Sequence, residues 1–397
     1  MNQRLVDLQH DVLLREQTKK MLVREMDYMS SVLPSTPQNS INSQSPQHSQ
    51  WRPKICEWCY RVIDHFQYDR KVVSIAMDYF DRFLLLHPSV ENMSSREYQL
   101  SAMTCLYTAM KFHASSEITP SSFVDATSSN GKTGNVKRKG KPRLRSFVEL
   151  SRGQFSETDI IDMEKVVLDT LQWKVNPVTP MCFVSYLLHL IPQPPCSKRT
   201  SKHDRFDDSN LAMHVLHEMS RYLTELAICL PGTTSYFNPN KSTDQVFAPS
   251  SMAYASILLS MDMISDSALP LRIRRKFLES CARLSLEAGS SSSIFHGMHL
   301  HPEHADIKQL KSLIKESFIP EMILEQTVSS AQHSEHISQP MHPIAIAKQA
   351  GLFNSQFLCE MLPSSSPTRN RSKLRERTKG ERSPTSTLDD STHKLYN

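Results

Sequence analysis

Glycine is scarce in this sequence, with only nine glycines among 397 residues. A fold rich in tight β-turns needs more of them, because glycine supplies the positive φ angles of hairpin turns. Long apolar runs are also missing, and no segment approaches the roughly 18 uncharged residues of a membrane span. The charged amino terminus lacks the apolar stretch of a signal peptide. These absences favour a helical protein, and we expect it to be soluble and intracellular.

The eight cysteines have no spacing typical of a disulfide framework. Cys56 and Cys59 form a CxxC, a pattern found in zinc sites and redox pairs. No second CxxC or HxxxH completes a zinc site, and both residues follow the apolar period of a helix, so we expect them to pack in a core. Four histidines near Pro302 also lack the spacing of a metal site. They are His296, His299, His301 and His304. The sequence therefore predicts no metal and no cofactor.

Basic charge is concentrated in two segments of the chain. Residues 132–145 contain seven basic residues and no acidic ones, and residues 363–397 contain eight basic residues against four acidic ones. Since the whole chain has a formal net charge of +5, the remainder is acidic, with a net charge of −6. A nucleic-acid-binding fold needs a basic folded face, whereas here the basic residues lie in expected loops and tail. Nucleic acid and membranes are therefore not the expected partners.

Apolar residues recur at helical spacing through most of the chain, and no alternating strand pattern competes with them. Ser156, followed three residues later by Asp159, is typical of a helix start. The sequence predicts an all-α protein built from two successive helical bundles. The predicted helices cover 2–28, 51–66, 72–86, 98–112, 156–173, 181–190, 211–229, 249–264, 271–286 and 307–318.

Composition divides the chain into four regions. A helix and a polar linker occupy 1–50, and the first bundle occupies 51–175 with a basic, disordered insertion at 127–146. The second bundle occupies 176–325. The remaining residues, 326–397, are rich in Ser, His, Gln and Pro and are predicted to be a disordered tail.

Two charged residues lie where helical spacing predicts buried faces. Lys111 is the single charge in the apolar helix 98–112, and Glu164 falls on the stripe that contains Ile160 and Leu168. Burying a lone carboxylate costs several kcal/mol, so each charge needs a partner or a role. The residues alone leave two explanations open: the charges pair with each other or reach the rim of the core, or they act at an interface.

Four stretches resemble successive pieces of a cyclin box, in the family's order and approximate spacing. They are WRPKICEW, AMDYFDRFLL, YQLSAMTCLYTAMKF and DMEKVVLDTLQWKVNPVTP. The NPVTP segment after LQW is similar to D-type cyclins in particular. The resemblance covers residues 51–180, and a weaker one, through FAPSSMAYASILL, extends to a second cyclin-like fold.

This resemblance implies a regulatory subunit that binds and activates a cyclin-dependent Ser/Thr protein kinase by positioning its αC helix, in cell-cycle control. Such a subunit is not an enzyme and has no catalytic residue. The lysine of the family's "KF" pair and the glutamate of its "ME" pair contact the kinase, which assigns that role to Lys111 and Glu164. Their partners are then expected on the kinase.

The resemblance also implies an internal ion pair between Arg52 and Asp81. It further implies a groove for docking substrates or inhibitors, although Lys54 stands where the family has an apolar groove residue. The groove positions that match are Trp51, Ile55, Trp58 and Gln99.

The basic insertion ends in the run KRKGKPRLR, for which nuclear import, nucleic-acid contact and a solvated loop are the alternatives. We predict that this run is a nuclear-import signal and that the protein is found in the nucleus and the cytoplasm. The residues of this run are Lys137, Arg138, Lys139, Lys141, Arg143 and Arg145. In the tail, Ser366 and Ser383 each precede a proline and match the sites of proline-directed kinases.

Two other classes of function fit the sequence less well than a kinase regulator does. A cyclin-fold transcription-factor or nucleic-acid adaptor is the main alternative, but it predicts a basic folded face and has no need for Lys111 and Glu164 together. An enzyme is disfavoured because the sequence has no nucleophile–base arrangement, no phosphate-cradling glycine loop and no metal motif.

Overall fold

The computed structural model describes residues 2–32, 46–87, 93–113, 143–192, 208–230, 247–289, 300–318, 350–354 and 357. Within these ranges the protein is helical and has no β-strand, which confirms the predicted all-α class. None of the described helices is long and apolar enough to cross a membrane. The helices of the described residues are α1 (Asn2–Val32), α2 (Pro46–Phe66), α3 (Lys71–Leu86), α4 (Ser95–His113), α5 (Leu144–Leu150), α6 (Glu157–Thr170), α7 (Pro180–Leu188), α8 (Asp208–Cys229), α9 (Pro249–Met263), α10 (Leu271–Gly289) and α11 (Ala305–Ser317).

The first bundle packs α2 to α6 around one core. Helices α3 and α4 lie against each other at its centre, and α6 packs against α4. The start of α6 is fixed by a reciprocal capping box: the Asp159 amide donates to Ser156 Oγ at 3.1 Å, and the Ser156 amide donates to Asp159 Oδ2 at 2.9 Å. Two of the four orphan amide groups at a helix start are satisfied in this way.

The second bundle surrounds α9, which is buried on nearly every side. Two of its buried serines, Ser256 and Ser260, fit this apolar setting because their hydroxyls bond within the helix. Ser256 Oγ donates to the Met252 carbonyl at 2.9 Å, and Ser260 Oγ donates to the Ser256 carbonyl at 2.8 Å. A hydroxyl that is hydrogen-bonded in this way avoids most of the cost of burial.

Helix α1 belongs physically to the second bundle. Leu22 is 1% exposed and lies in the same core as the residues of α9, and α1 packs against α7, α9 and α10. Glu25 accepts a hydrogen bond from the Ser250 amide at 2.7 Å, at the first turn of α9. The sequence predicted this helix but placed it in a separate amino-terminal region, because its charged residues obscure a short apolar stripe.

Two segments differ from the predicted disorder. Helix α5 begins at Leu144, inside the insertion predicted at 127–146, because Phe147 is fully buried against the rings of Tyr107 and Phe66. Residues 114–142, which hold the rest of the insertion, lie outside the described residues.

The second difference lies within the predicted tail. Leu352 and Phe357 are buried against the second bundle. The Ser265 amide donates to the Leu352 carbonyl and the Asn354 amide donates to the Met263 carbonyl, both at 2.8 Å. These apolar side chains and backbone bonds order a short piece of a region that composition alone marks as disordered.

Candidate partner-binding site around Lys111 and Glu164

Lys111 and Glu164 contact each other in the structure. Lys111 Nζ lies 3.0 Å from Glu164 Oε2 and 3.2 Å from Oε1, and the Thr108 hydroxyl donates to Oε1 at 3.2 Å. The lysine side chain is 42% exposed and the glutamate side chain 12% exposed. Of the two explanations left open by the sequence, pairing at the rim of the core is what the chain by itself adopts. A role at an interface stays a prediction.

Apolar side chains surround this pair on the solvent side. Lys111 Nζ lies 5.8 Å from the ring centroid of Tyr107 and 5.9 Å from that of Phe112, within cation–π range. Phe112 is 44% exposed and Ile161, three residues before Glu164 on α6, is 40% exposed. We call Tyr107, Lys111, Phe112, Ile161 and Glu164 the Lys111 surface. It combines exposed apolar area with a charged pair, as protein interfaces do.

The end of α4 that carries Lys111 is anchored to the segment after α6. The Tyr79 hydroxyl donates to the Val175 carbonyl, and His113 Nε2 lies 2.9 Å from that hydroxyl and 2.7 Å from the same carbonyl. Burial raises the pKa of Tyr79, which keeps its hydroxyl protonated as a donor. Because His113 follows Lys111 by two residues, these bonds limit fraying where the lysine sits.

Arg82 is a positioning residue that the sequence analysis did not single out. Its side chain is only 1% exposed, and its guanidinium donates to the Tyr28 hydroxyl at 2.6 Å and to the Lys174 carbonyl at 2.8 Å. A further bond of 3.3 Å reaches the Leu171 carbonyl at the end of α6. Arg82 thus ties α1 and the end of α6 to α3. The signal in the sequence was that Arg82 lies between Phe80 and Phe83 in the stretch AMDYFDRFLL, on a helix with many apolar residues.

Arg52 and Asp81 form a buried bidentate ion pair. Arg52 Nε lies 3.0 Å from Asp81 Oδ1 and Nη2 lies 2.8 Å from Oδ2, with the two side chains 4% and 5% exposed. The remaining guanidinium nitrogen donates to the Ile228 and Leu230 carbonyls at the end of α8. This arrangement satisfies the planar guanidinium from several sides and joins the first bundle to α8.

The residues predicted to form a docking groove lie on neighbouring parts of α2 and α4. The ring of Trp51 meets that of Tyr98 edge-on at 5.1 Å between centroids, and Gln99 follows Tyr98 in the chain. Trp51, Ile55 and Trp58 are partly buried against the first core, and Lys54 is also partly buried. Substrate or inhibitor docking here stays a prediction.

Several predicted residues fall wholly or partly outside the described ranges. The part of the basic run from Lys137 to Lys141 lies outside them, whereas Arg143 precedes α5 and Arg145 forms an exposed pair with Glu149 at 3.5 Å. Ser366 and Ser383 also lie outside the described residues, as do His296 and His299. Among the residues that the structure does describe, which include His301 and His304, no group of side chains is arranged to hold a metal ion.

Comparison with known proteins addresses the resemblance directly. Residues 23–176 match the family model described as "Cyclin, N-terminal domain". This span runs from the middle of α1 to the segment just after α6 and includes every residue of the Lys111 surface. This match confirms the resemblance to cyclins over residues 23–176 of the chain.

Individual cyclins match over part of their length. G1/S-specific cyclin-E1 of Danio rerio is 24% identical over 148 residues, which are 36% of this chain and 30% of that protein. Cyclin-D3-3 of Arabidopsis thaliana is 28% identical over 146 residues, which are 34% of this chain and 31% of that protein. The chain therefore covers about a third of these relatives. Both E-type and D-type cyclins match, so the similarity does not select the D type.

A viral cyclin from herpesvirus saimiri aligns over 76% of this chain and 97% of its own length, at 14% sequence identity and a TM-score of 0.45.

Proposed function

We propose that this protein is a cyclin, the regulatory subunit of a cyclin-dependent Ser/Thr protein kinase, and that it acts in cell-cycle control. The observation that carries the proposal is the Lys111 surface within the segment that matches the cyclin domain. There a partly exposed lysine pairs with a largely buried glutamate, and the exposed side chains of Phe112 and Ile161 flank the pair. No catalytic residue is assigned to the cyclin, since its contribution to the kinase reaction is positional.

The proposed mechanism is a shift in the conformational equilibrium of the kinase. A protein kinase is active when the lysine of its β3 strand pairs with the glutamate of its αC helix. The Lys111 surface packs against αC and binds the kinase more tightly when αC is swung in. The size of the activation is set by the difference in affinity between the two kinase states.

The Lys111–Glu164 contact supports a particular version of this mechanism. In the free chain each charge satisfies the other, so neither is left unpaired at the rim of the core. On binding, the exposed lysine donates to acceptors on the kinase while Glu164 keeps its bond from Thr108. The neighbouring Phe112 and Ile161 lose their exposed apolar area, and burial of this kind supplies most of the affinity at such interfaces.

A capture experiment with a matched control tests the proposal. The full-length chain is tagged and used to retrieve partners from cell extract, as wild type and as the double variant Lys111→Ala/Glu164→Ala. The control is Asp162→Ala/Lys165→Ala, which removes an exposed lysine–carboxylate pair from α6, the helix of Glu164. Lys165 Nζ lies 3.0 Å from Asp162 Oδ1. Bound material is assayed for Ser/Thr kinase activity, and thermal unfolding checks that each variant is folded.

We expect the wild type and the control to retrieve kinase activity. The Lys111→Ala/Glu164→Ala variant should retrieve at least tenfold less of it. Equal retrieval by all three would mean that the Lys111–Glu164 pair serves only the fold. Retrieval of nucleic acid or transcription proteins without a kinase would favour the adaptor function.

The proposal extends to location and modification. The basic run that contains Lys137 and Arg138 directs import, which gives a protein of nucleus and cytoplasm. Imaging a fluorescent fusion with and without residues 137–141 measures how the nuclear fraction of the protein depends on this run. Ser366 and Ser383 are proposed sites of the bound kinase, which mass spectrometry of the complex after incubation with ATP detects.

A further inference from the structure

We propose that Cys56 and Cys229 form an oxidisable dithiol, which a hydroperoxide converts into a disulfide joining α2 to the end of α8. The two sulfur atoms lie 2.9 Å apart although the residues are 173 positions apart in sequence. Both are free thiols in this structure. The inference is independent of the proposed kinase partner.

The surroundings of the two sulfurs hold them together. Cys56 is fully buried in the first core, and Cys229 packs against that core from the last turn of α8. Arg52, one turn before Cys56 on α2, donates to the carbonyls on both sides of Cys229, those of Ile228 and Leu230. The guanidinium therefore fixes the end of α8 against α2 at the point where the sulfurs meet.

Exposure gives the two thiols different roles. Cys229 is partly exposed, so a small oxidant in solvent reaches it, whereas Cys56 is enclosed. Burial raises the pKa of the Cys56 thiol, and the Arg52 charge acts in the opposite direction. Cys229 is therefore the thiol that meets the oxidant, and Cys56 is the thiol that resolves the product.

The chemistry proceeds in two steps that balance with hydrogen peroxide as the oxidant. The Cys229 thiolate attacks one peroxide oxygen, the O–O bond breaks, and a sulfenic acid forms as hydroxide leaves and takes a proton to become water. The Cys56 sulfur then attacks the Cys229 sulfur, the S–O bond breaks, and the departing hydroxide takes the Cys56 proton as a second water. In total, two thiols lose two electrons and two protons, and one peroxide becomes two waters.

Cys59 and Cys182 provide the comparisons that make the assignment specific. Cys59 shares the CxxC with Cys56 and is also buried, but it lies one helical turn further along α2. Cys182 is partly exposed, as Cys229 is, but its sulfur accepts a hydrogen bond from the Thr179 hydroxyl at 3.4 Å and contacts no other thiol of the described residues. Because no thiol of the described residues contacts Cys182, we expect it to form no disulfide on oxidation.

Peptide mapping of the full-length chain tests the proposal. The reduced protein is treated with hydrogen peroxide, remaining thiols are alkylated, and the chain is digested with trypsin without reductant. We expect a linked pair made of residues 55–61 and 222–241, each of which is a complete tryptic peptide. The pair should form in wild type, Cys59→Ser and Cys182→Ser, and should be absent in Cys229→Ser and Cys56→Ser.

Thermal unfolding gives a second readout that does not depend on the buried Cys56→Ser variant. A disulfide closing so long a loop should raise Tm by at least ~5 °C on oxidation of wild type, and not in Cys229→Ser. Absence of the linked pair in peroxide-treated wild type would overturn the proposal. A linked pair lost in Cys59→Ser but kept in Cys56→Ser would overturn the assignment to Cys56.

Discussion

Two ion pairs in the first bundle have similar chemistry and different surroundings. Arg52–Asp81 is enclosed, with side chains 4% and 5% exposed, and its guanidinium bonds a carboxylate and two carbonyls. Lys111–Glu164 lies at the rim, with a lysine that is 42% exposed. Helical spacing singled out Lys111 and Glu164 as charges on apolar faces, whereas the Arg52–Asp81 pair was expected only from the family resemblance. Burial therefore distinguishes a charge that is wholly enclosed by the fold from one that is partly open to solvent.

The largest effect on stability should come from breaking the enclosed pair. Asp81→Ala leaves the Arg52 charge buried without its carboxylate, and we expect the free energy of unfolding to fall by about 3–5 kcal/mol. Urea denaturation followed by circular dichroism measures this. Asp162→Ala, which removes one member of an exposed pair, is the control and should change stability by less than about 0.5 kcal/mol. Similar losses in both variants would contradict the distinction by burial.

The second largest effect on stability should come from Glu25, a buried carboxyl group that forms no ion pair with the described residues. Burial raises the pKa of Glu25 from its ordinary 4.5 to about 7, and its Oε2 has no hydrogen-bond partner among the described residues. The folded state therefore holds this proton more tightly than the unfolded state. The resulting stability is present below pH 4.5 and is lost as pH rises towards 7. Between pH 5 and pH 8 the loss should be about 2–3 kcal/mol.

Denaturation of wild type and Glu25→Gln at pH 5 and pH 8 isolates this contribution. The glutamine keeps an acceptor for the Ser250 amide and does not titrate, so the variant should show a smaller decline with pH. An identical decline in both proteins would show that Glu25 is not the titrating group.

The smallest effect should come from the rim pair. Lys111→Ala leaves Glu164 with the Thr108 hydroxyl and some access to water, so the free energy of unfolding should fall by less than about 1 kcal/mol. The same denaturation series measures it. A loss as large as that of Asp81→Ala would make the rim pair structural and would remove the basis for assigning it to a partner.

Local patterns were enough to predict most of the helices. The apolar period located α2, α3, α4 and α6 to within a few residues, except that α2 begins five residues earlier than predicted. Ser156 and Asp159 form the expected cap because the capping box depends on neighbouring residues only. Helix α5 was missed because a single buried aromatic, Phe147, fixes it next to a basic run.

Contacts between residues that are far apart in the sequence could not be predicted from local sequence patterns. The choice between the two explanations for Lys111 and Glu164 depends on how α4 packs on α6, which no local pattern encodes. The approach of Cys229 to Cys56 likewise depends on where α8 ends relative to α2. The CxxC spacing drew attention to Cys59, whereas the sulfur that contacts Cys56 belongs to Cys229, 173 positions away in sequence.

The placement of α1 has a consequence for the order of events during synthesis. Glu25 and Ser250, which meet in the folded protein, are 225 residues apart, so α1 is made long before α9. At roughly 5–20 residues per second this interval is on the order of 10–50 s. Leu22 lies in the second core, and Met21 and Tyr28 pack against it, so this apolar face of α1 lacks its full set of neighbours until α9 and α10 have been made. During synthesis, α1 is therefore expected to expose this apolar face to solvent for that interval.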